Sequence, residues 1–256
     1  MEQFLYQMNP LTRFSERASH YAKYRPSYPD EAIIMLLEGL GNPSELIAVD
    51  IGAGTGISSR LLAEKGVKVL AVEPNAQMRE TATPHPLVEF RDATAENTGL
   101  GDNSVDLVTT FQAFHWFNPE PTLKEFNRIL KPSGRLAIVW NHRNRKDEFT
   151  KEYSQILKNA AKDPPVEKEK RKRVIDIAQS YADFKNWRYH AIAYQQILDL
   201  EGLIGRTQSA SYIPTEGEAG QQIITELETL FQRWVDTQGF VYLIYRTDVY
   251  LADVNL

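Results

Sequence analysis

Runs of hydrophobic residues with the length of a β-strand recur through the first 140 residues of the chain. They cover residues 46–51, 67–72, 88–91, 105–110 and 136–140. The first run is short, contains Ile and Val, and ends at glycines, as a buried parallel strand does. The pattern predicts five strands of one sheet.

Apolar residues at helical spacing lie between these runs. A helix is expected from Ile57 until Gly66 ends it. A second helix starts near Pro119, runs to Leu130 and is followed by a predicted turn at residues 132–134. Alternating strands and helices predict an α/β fold built on a doubly wound, mostly parallel sheet.

The segment from residue 143 to residue 184 is polar and is expected to form a helical cap over the sheet edge. Pro164 and Pro165 should break it into two helices. Its charge run, residues 167–173, mixes acids with bases, so we interpret it as a solvated helix face and not as a nucleic-acid site. Candidate wall residues of a pocket below the cap are Trp140, Asn141, His142 and Tyr181.

The string from Val49 to Gly56 carries the first sign of chemistry. Asp50 is followed by a strand-to-helix turn that holds Gly52, Ala53, Gly54 and Gly56. A dinucleotide-binding loop places its third glycine one residue later, so this loop does not match that fingerprint. A carboxylate at Asp50 would repel a pyrophosphate and attract an ammonium group. The spacing therefore favours a ligand with a cationic end.

This string resembles motif I of the class I S-adenosylmethionine-dependent methyltransferases, whose cofactor carries an ammonium and a sulfonium. The resemblance implies that Glu73 binds the ribose hydroxyls, Met78 touches the adenine, and Asp92 accepts a hydrogen bond from the adenine amino group. It also implies a Rossmann-like, seven-stranded sheet whose last strand is antiparallel. The cofactor-binding residues expected on this basis are Asp50, Gly52, Ala53, Gly54, Gly56, Glu73, Pro74, Met78, Asp92, Ala93, Phe111, Gln112, Arg25 and Tyr21.

Two further strings resemble a subgroup of that family. Residues 24–29 resemble the "Y-x-x-x-R-P-x-Y-P" opening, and residues 245–250 the "Y-R-T-x-V-Y" ending, of type 11 enzymes related to trans-aconitate methyltransferase. There an N-terminal arm folds over the cofactor, which implies that Arg25 pairs with its carboxylate and Tyr21 faces its sulfonium. The alternative is an aromatic arm that seals the sheet edge, with Arg25 in a structural ion pair.

Three residues are candidates for the acceptor side of the site. His115 follows the fourth strand, and its ordinary pKa suits proton transfer near neutrality, so it is the candidate general base. The alternative is a histidine that packs between Phe114 and Trp116. Trp116 and Trp140 are expected, with His115, to bind the substrate.

Composition narrows the possible partners. The chain has no cysteine, and its five histidines show no metal-binding spacing, so neither disulfides nor a metal is expected. The formal net charge of -5 argues against nucleic acid as a partner. No apolar run has the length of a membrane span, and the N-terminus does not resemble a signal peptide, so we expect a cytoplasmic protein without a membrane partner. The oligomeric state stays open.

We therefore expect one methyltransferase domain over residues 1–256. Its parts are an N-terminal arm and helix, a cofactor-binding core, a helical cap insertion and a sheet-closing C-terminal part, at residues 1–45, 46–142, 143–186 and 187–256. The expected reaction moves a methyl group from S-adenosylmethionine to a carboxylate or hydroxyl of a small molecule and leaves S-adenosylhomocysteine. A non-catalytic S-adenosylmethionine-binding protein is the alternative. An NAD-linked oxidoreductase is disfavoured by the glycine spacing, and an enzyme acting on protein or RNA would be expected to carry an appended recognition module.

Overall fold

A seven-stranded sheet forms the centre of the computed structural model, which describes residues 18–161 and 168–255. The strands lie in the order β3-β2-β1-β4-β5-β7-β6. Only β7 runs antiparallel to its neighbours, which confirms the predicted doubly wound sheet with an antiparallel last strand. The strands are β1 (Ile47–Ile51), β2 (Lys68–Val72), β3 (Val88–Arg91), β4 (Val105–Phe111), β5 (Leu130–Arg143), β6 (Phe184–Leu198) and β7 (Val241–Val254).

Nine helices surround this sheet in the described part of the chain. They are α1 (Ala18–Tyr24), α2 (Asp30–Leu37), α3 (Ile57–Glu64), α4 (Ala76–Glu80), α5 (Pro119–Ile129), α6 (Glu148–Ala160), α7 (Lys168–Ser180), α8 (Leu200–Gln208) and α9 (Gly217–Trp234). The predicted arm is helical at α1, and its start at residues 14–17 lies outside the described residues, as do Pro164 and Pro165.

The junction between α5 and β5 differs from the prediction. Leu130 already pairs with Val105 of β4, and the register then shifts so that Leu107 pairs with Arg135. The predicted turn at residues 132–134 is therefore a bulge inside one long strand. Lys131 holds this bulge, because its Nζ lies 2.8 and 2.9 Å from the two carboxylate oxygens of Asp106.

The two insertion helices pack into the body of the protein. Phe149 and Tyr153 of α6 are buried in a cluster that includes residues of α8, α9 and β7. Val174 and Ile175 of α7 join the main core beside residues of α5. The predicted cap thus has one helix on each of two hydrophobic clusters, because each helix has an apolar stripe to bury.

The parallel strands bring their carboxyl ends to one edge of the sheet. Register pairs Ile51 with Val72 and Phe111 with Val139, so the ends of β1, β2, β4 and β5 lie side by side. In such sheets a ligand binds outside these ends. Among the described residues, none of the helices combines the length and the apolar character that a membrane span requires. The same residues contain no cluster of three or more His, Cys, Asp or Glu side chains that could hold a metal ion.

Candidate functional site

A cavity of about 320 Å³ lies at the carboxyl ends of β1, β2 and β4. Its volume is in the usual range for small-molecule sites, about 300–1,000 Å³. Ten of the residues predicted for the site line it, namely Tyr21, Gly52, Gly54, Glu73, Pro74, Met78, Ala93, Phe111, Gln112 and Trp116. Residues that the sequence analysis missed complete the wall: Val72, Asn75, Thr94, Ala95, Glu96, Ala113 and Phe117.

The glycines of the β1–α3 loop have different roles. A Cβ atom on Gly52 would lie 2.6 Å from the Cβ of Ala113, and one on Gly56 would lie 2.9 Å from a ring carbon of Phe90. Both glycines therefore allow the protein to pack on its own loop. Gly54, with a φ of +57°, has no such neighbour, since the nearest atom to its Cβ position would be Met78 Cε at 3.5 Å. The loop backbone is open to the cavity at Gly54.

Glu73 lies at the end of β2 with its carboxylate held by two backbone amides. Gly54 N donates to Oε2 at 2.8 Å, and Asn75 N donates to Oε1 at 2.9 Å. Burial raises the pKa of Glu73, and these two hydrogen bonds oppose the rise. Each oxygen retains acceptor capacity, since an ionised carboxylate offers about four lone-pair sites. The fixed carboxylate can therefore accept a pair of neighbouring hydroxyl groups.

Asp50, which is predicted to attract the cationic end of a ligand, does not line the cavity. Its side chain is fully buried and accepts hydrogen bonds from Ser58 Oγ, Ser59 Oγ and Thr109 Oγ1 at 2.6, 2.7 and 3.0 Å. Burial raises the pKa of Asp50, and the three hydroxyls oppose the rise. The carboxylate joins β1 to β4 and to the first turn of α3. Because the glycine loop connects β1 to α3, these bonds help to fix the position of the loop.

Asp92, which is predicted to contact the adenine, does not line the cavity either. The Asp92 side chain is 69% exposed and lies 2.9 Å from Arg79 Nη2, outside the cavity wall. The wall continues instead through Ala93 to Glu96. Glu96 Oε1 accepts a hydrogen bond from Asn118 N at 3.1 Å. The carboxylate that this segment gives to the cavity is that of Glu96, four residues after the predicted one.

His115 and Trp140 form a buried pair outside the cavity lining. Trp140 Nε1 donates to His115 Nδ1 at 3.2 Å, and burial, with Arg171 and His142 nearby, holds the pKa of His115 well below its ordinary value. The neutral ring then carries its proton on Nε2 and has no nitrogen lone pair free to act as a base. The cavity lining includes neither His115, the predicted base, nor Trp140, although both are predicted to bind the substrate.

Gln112 has an unusual backbone beside the cavity. Its φ is +57°, a left-handed conformation that costs a non-glycine residue about 1–3 kcal/mol. Two hydrogen bonds hold it there, from Gln112 N to Val139 O at 2.9 Å and from Nε2 to Asn141 O at 3.0 Å. Strain of this kind is concentrated at functional sites.

The arm reaches the cavity through Tyr21. The guanidinium of Arg25 lies 4.5 Å from the centre of the Tyr21 ring, and its Nη2 donates to Ser209 O at 3.0 Å. Arg25, like Ala53 and Gly56, is therefore not in the cavity lining. Gly205 of α8 explains how α1 docks, because a Cβ there would lie 2.4 Å from the Tyr24 ring.

Comparisons with known proteins agree with this geometry. Residues 49–138, which include the glycine loop and strands β2 to β4, match the family described as a methyltransferase domain. An uncharacterized methyltransferase of Mycobacterium tuberculosis is 34% identical over 205 residues, which cover 79% of this chain and 78% of that protein.

Solved structures show the same fold. A putative type II methyltransferase from Anaeromyxobacter dehalogenans superposes with a TM-score of 0.63 at 23% identity, over 90% of this chain and 97% of that one. A phosphoethanolamine N-methyltransferase of Haemonchus contortus, solved with phosphomonomethylethanolamine and S-adenosylhomocysteine, gives a TM-score of 0.54 at 14% identity, over 100% of this chain and 61% of that one.

Proposed function

This chain belongs to the class I S-adenosylmethionine-dependent methyltransferases, and from that premise we propose that its acceptor is a small organic molecule methylated on a carboxylate or hydroxyl oxygen. The observation that carries the proposal is the Glu73 carboxylate, held by two amides beside the open backbone of Gly54 in a cavity of small-molecule size. Trp116 and Phe117 form the wall of that cavity after β4, where an acceptor would lie.

The residues present fit the cofactor at each part of the cavity. We assign Glu73 to the ribose hydroxyls, since its oxygens retain acceptor sites. Pro74, Met78 and Ala93 to Glu96 provide the mostly apolar walls that suit an adenine ring. Gly54 lets the amino-acid end approach the loop backbone. Tyr21 presents a ring at the same cavity, a suitable neighbour for a sulfonium.

The bound cofactor supplies an activated methyl group, so the protein has mainly to hold an acceptor oxygen about 3–3.5 Å away and in line. A carboxylate acceptor needs no base, whereas a hydroxyl needs one. Among the described lining residues the carboxylates are Glu73, assigned to the ribose, and Glu96, which belongs to the wall assigned to the adenine. This arrangement favours a carboxylate acceptor.

Two finer points belong to the same proposal. We keep the resemblance to trans-aconitate methyltransferase and its type 11 relatives, supported by residues 24–29 and 245–250. We also keep the single domain over residues 1–256, supported by one sheet that extends from Ile47 to Val254.

Formation of S-adenosylhomocysteine tests the function. The purified chain with S-adenosylmethionine is offered a panel of carboxylic acids, their methyl esters and matching alcohols. We expect turnover with free acids or alcohols and none with the esters. Turnover only with a protein or RNA would overturn the proposal.

A further inference from the structure

Four arginines from separate segments lie near one residue, Tyr212. Arg25 follows α1, Arg143 ends β5, Arg171 lies on α7 and Arg206 lies on α8. We call these four residues the arginine cluster. Arg171 belongs to the charge run that the sequence predicts to be solvated, yet it faces inward, with Nη1 3.2 Å from His142 Nδ1. The next residue, Lys172, is exposed.

The cluster has little compensating charge. None of its four members forms an ion pair with a carboxylate of the described residues. Their partners are neutral: Arg206 Nε donates to Tyr245 Oη at 3.2 Å, for example, and the Arg143 guanidinium lies 5.5 Å from the Tyr153 ring centre. Asp248 is near, but Arg246 already binds both of its oxygens at 2.6 and 2.8 Å.

Three guanidinium nitrogens of the cluster are buried and have no hydrogen-bond partner among the residues that the structure describes: Arg25 Nε, Arg143 Nη1 and Arg171 Nε. Buried polar groups are nearly always paired, and an unpaired charged donor is especially costly. An anion bound in the cluster would satisfy these donors. Carboxylate and phosphate match the geometry of a guanidinium, which binds them through two parallel hydrogen bonds.

The electrostatics of neighbouring groups support a positive potential here. Burial alone would raise the pKa of Tyr212, but Arg143, Arg206 and Arg25 outweigh it and the pKa falls below its ordinary value. Burial lowers the pKa of Arg171 to about 10, and nearby Arg143 adds to that effect. The protein as a whole is acidic, with a net charge of -5, so this local excess of cations is not a matter of composition.

The cluster borders the cavity at two points. The Arg25 guanidinium lies 4.5 Å from the ring centre of Tyr21, which lines the cavity. Gln112, another lining residue, donates to Asn141 O, two residues before Arg143. The second point is at the carboxyl ends of β4 and β5, where an acceptor would enter.

We propose that the arginine cluster binds an anionic group of the methyl acceptor, a carboxylate or a phosphate, with Arg143 and Arg171 as the residues that select for it. The inference rests on the proposed function, because the same acceptor must reach the cavity. If the inference is right, the methyl acceptor is an organic anion. The residues that select for its charge then lie at the end of β5 and on α7.

Calorimetric titration in the presence of saturating S-adenosylhomocysteine tests this. The probes are glutarate, inorganic phosphate and glutaramide, the last being the neutral counterpart of glutarate. The variants are Arg143→Gln and Arg171→Gln, with Lys172→Gln as the matched control on the exposed side of α7. Arg171→Lys keeps the positive charge and removes the pair of parallel N–H donors that a guanidinium offers.

We expect glutarate or phosphate to bind and glutaramide not to bind. Each Arg→Gln change should weaken anion binding at least tenfold, Arg171→Lys should weaken it less, and Lys172→Gln should leave it unchanged. The probe that binds distinguishes carboxylate from phosphate. If neither anion binds, if glutaramide binds as well as glutarate, or if Arg171→Gln has no effect, the proposal is wrong.

Affinity for S-adenosylhomocysteine separates the two proposals. Wild type and Arg171→Gln should bind it equally, since Arg171 does not line the cofactor cavity. If the wild type does not bind S-adenosylhomocysteine, the proposed function itself is wrong. If Arg143→Gln alone loses it through misfolding, the anion titration of Arg171→Gln still decides the proposal.

Discussion

Trp140 donates its indole N–H to Nδ1 of His115 across 3.2 Å, and both side chains are buried. The bond fixes the neutral imidazole with its proton on Nε2. The sequence position of His115 suggests a base. In the structure, however, His115 packs between β5 and the segment after β4. Its effect on the protein should appear in stability rather than in the chemical step.

The change His115→Asn should alter the pH dependence of folding. The folded pKa lies well below the ordinary 6.5, so the unfolded chain binds more protons below that pH and wild-type stability falls as the pH drops from 7 to 5. This group contributes a slope of up to about 1.4 kcal/mol per pH unit. Urea unfolding at pH 5, 6 and 7 should show a shallower slope in the variant, while the exposed His20→Asn matches wild type. Loss of one limb of the pH–rate profile in His115→Asn would restore it as a base.

Glu73→Gln should weaken the binding of S-adenosylhomocysteine at least tenfold, about 1.4 kcal/mol. The amide group would place a donor against one of the two backbone N–H groups that now hold the carboxylate. Glu80→Gln, which removes an exposed carboxylate seven residues later, is the matched control and should bind normally. Equal affinities in calorimetry would contradict the assignment of Glu73 to the cofactor.

Asp50→Ala should destabilise the fold by roughly 3 kcal/mol or more, because it leaves three buried hydroxyls without their acceptor. The free energy of unfolding in urea measures this. Asp92→Ala, at a largely exposed carboxylate, should cost about 1 kcal/mol or less. A normal stability with abolished cofactor binding would instead make Asp50 a direct ligand contact.

Two glycine substitutions should separate packing from ligand access. Gly52→Ala should be the more destabilising, since its Cβ would lie 2.6 Å from Ala113 Cβ. Gly54→Ala should cost only the strain of a positive φ, about 1–2 kcal/mol, but should reduce cofactor affinity because its Cβ extends into the cavity. Thermal unfolding and calorimetry on the same samples distinguish the two effects. Unchanged affinity in Gly54→Ala would show that the cofactor does not approach this loop.

Much of the fold was predictable because its signals are local. Hydrophobic runs gave the strands, and the glycine loop gave the ligand edge of the sheet, since neither depends on distant residues. The bulge at Leu130 was not predictable, because it depends on the pairing of Leu130 with Val105 of another strand.

The site was only partly predictable for a related reason. Asp50 and Asp92 are close in sequence to the lining residues Gly52 and Ala93, but the direction of a side chain depends on what packs around it. Asp50 points to hydroxyls of α3 and β4, and Asp92 points to Arg79. The arginine cluster draws on residues from 25 to 206, and only the folded chain brings them together.

The position of β7 has a consequence for the order in which the protein can form during synthesis. β7 lies between β5 and β6 although it comes later in the chain than both. A nascent chain can assemble β1 to β5 first, since each of these strands has a neighbour already made. β6 then leaves the ribosome without any strand to pair with, and it waits, edges exposed, until β7 has followed. That interval is when this protein most needs protection from aggregation.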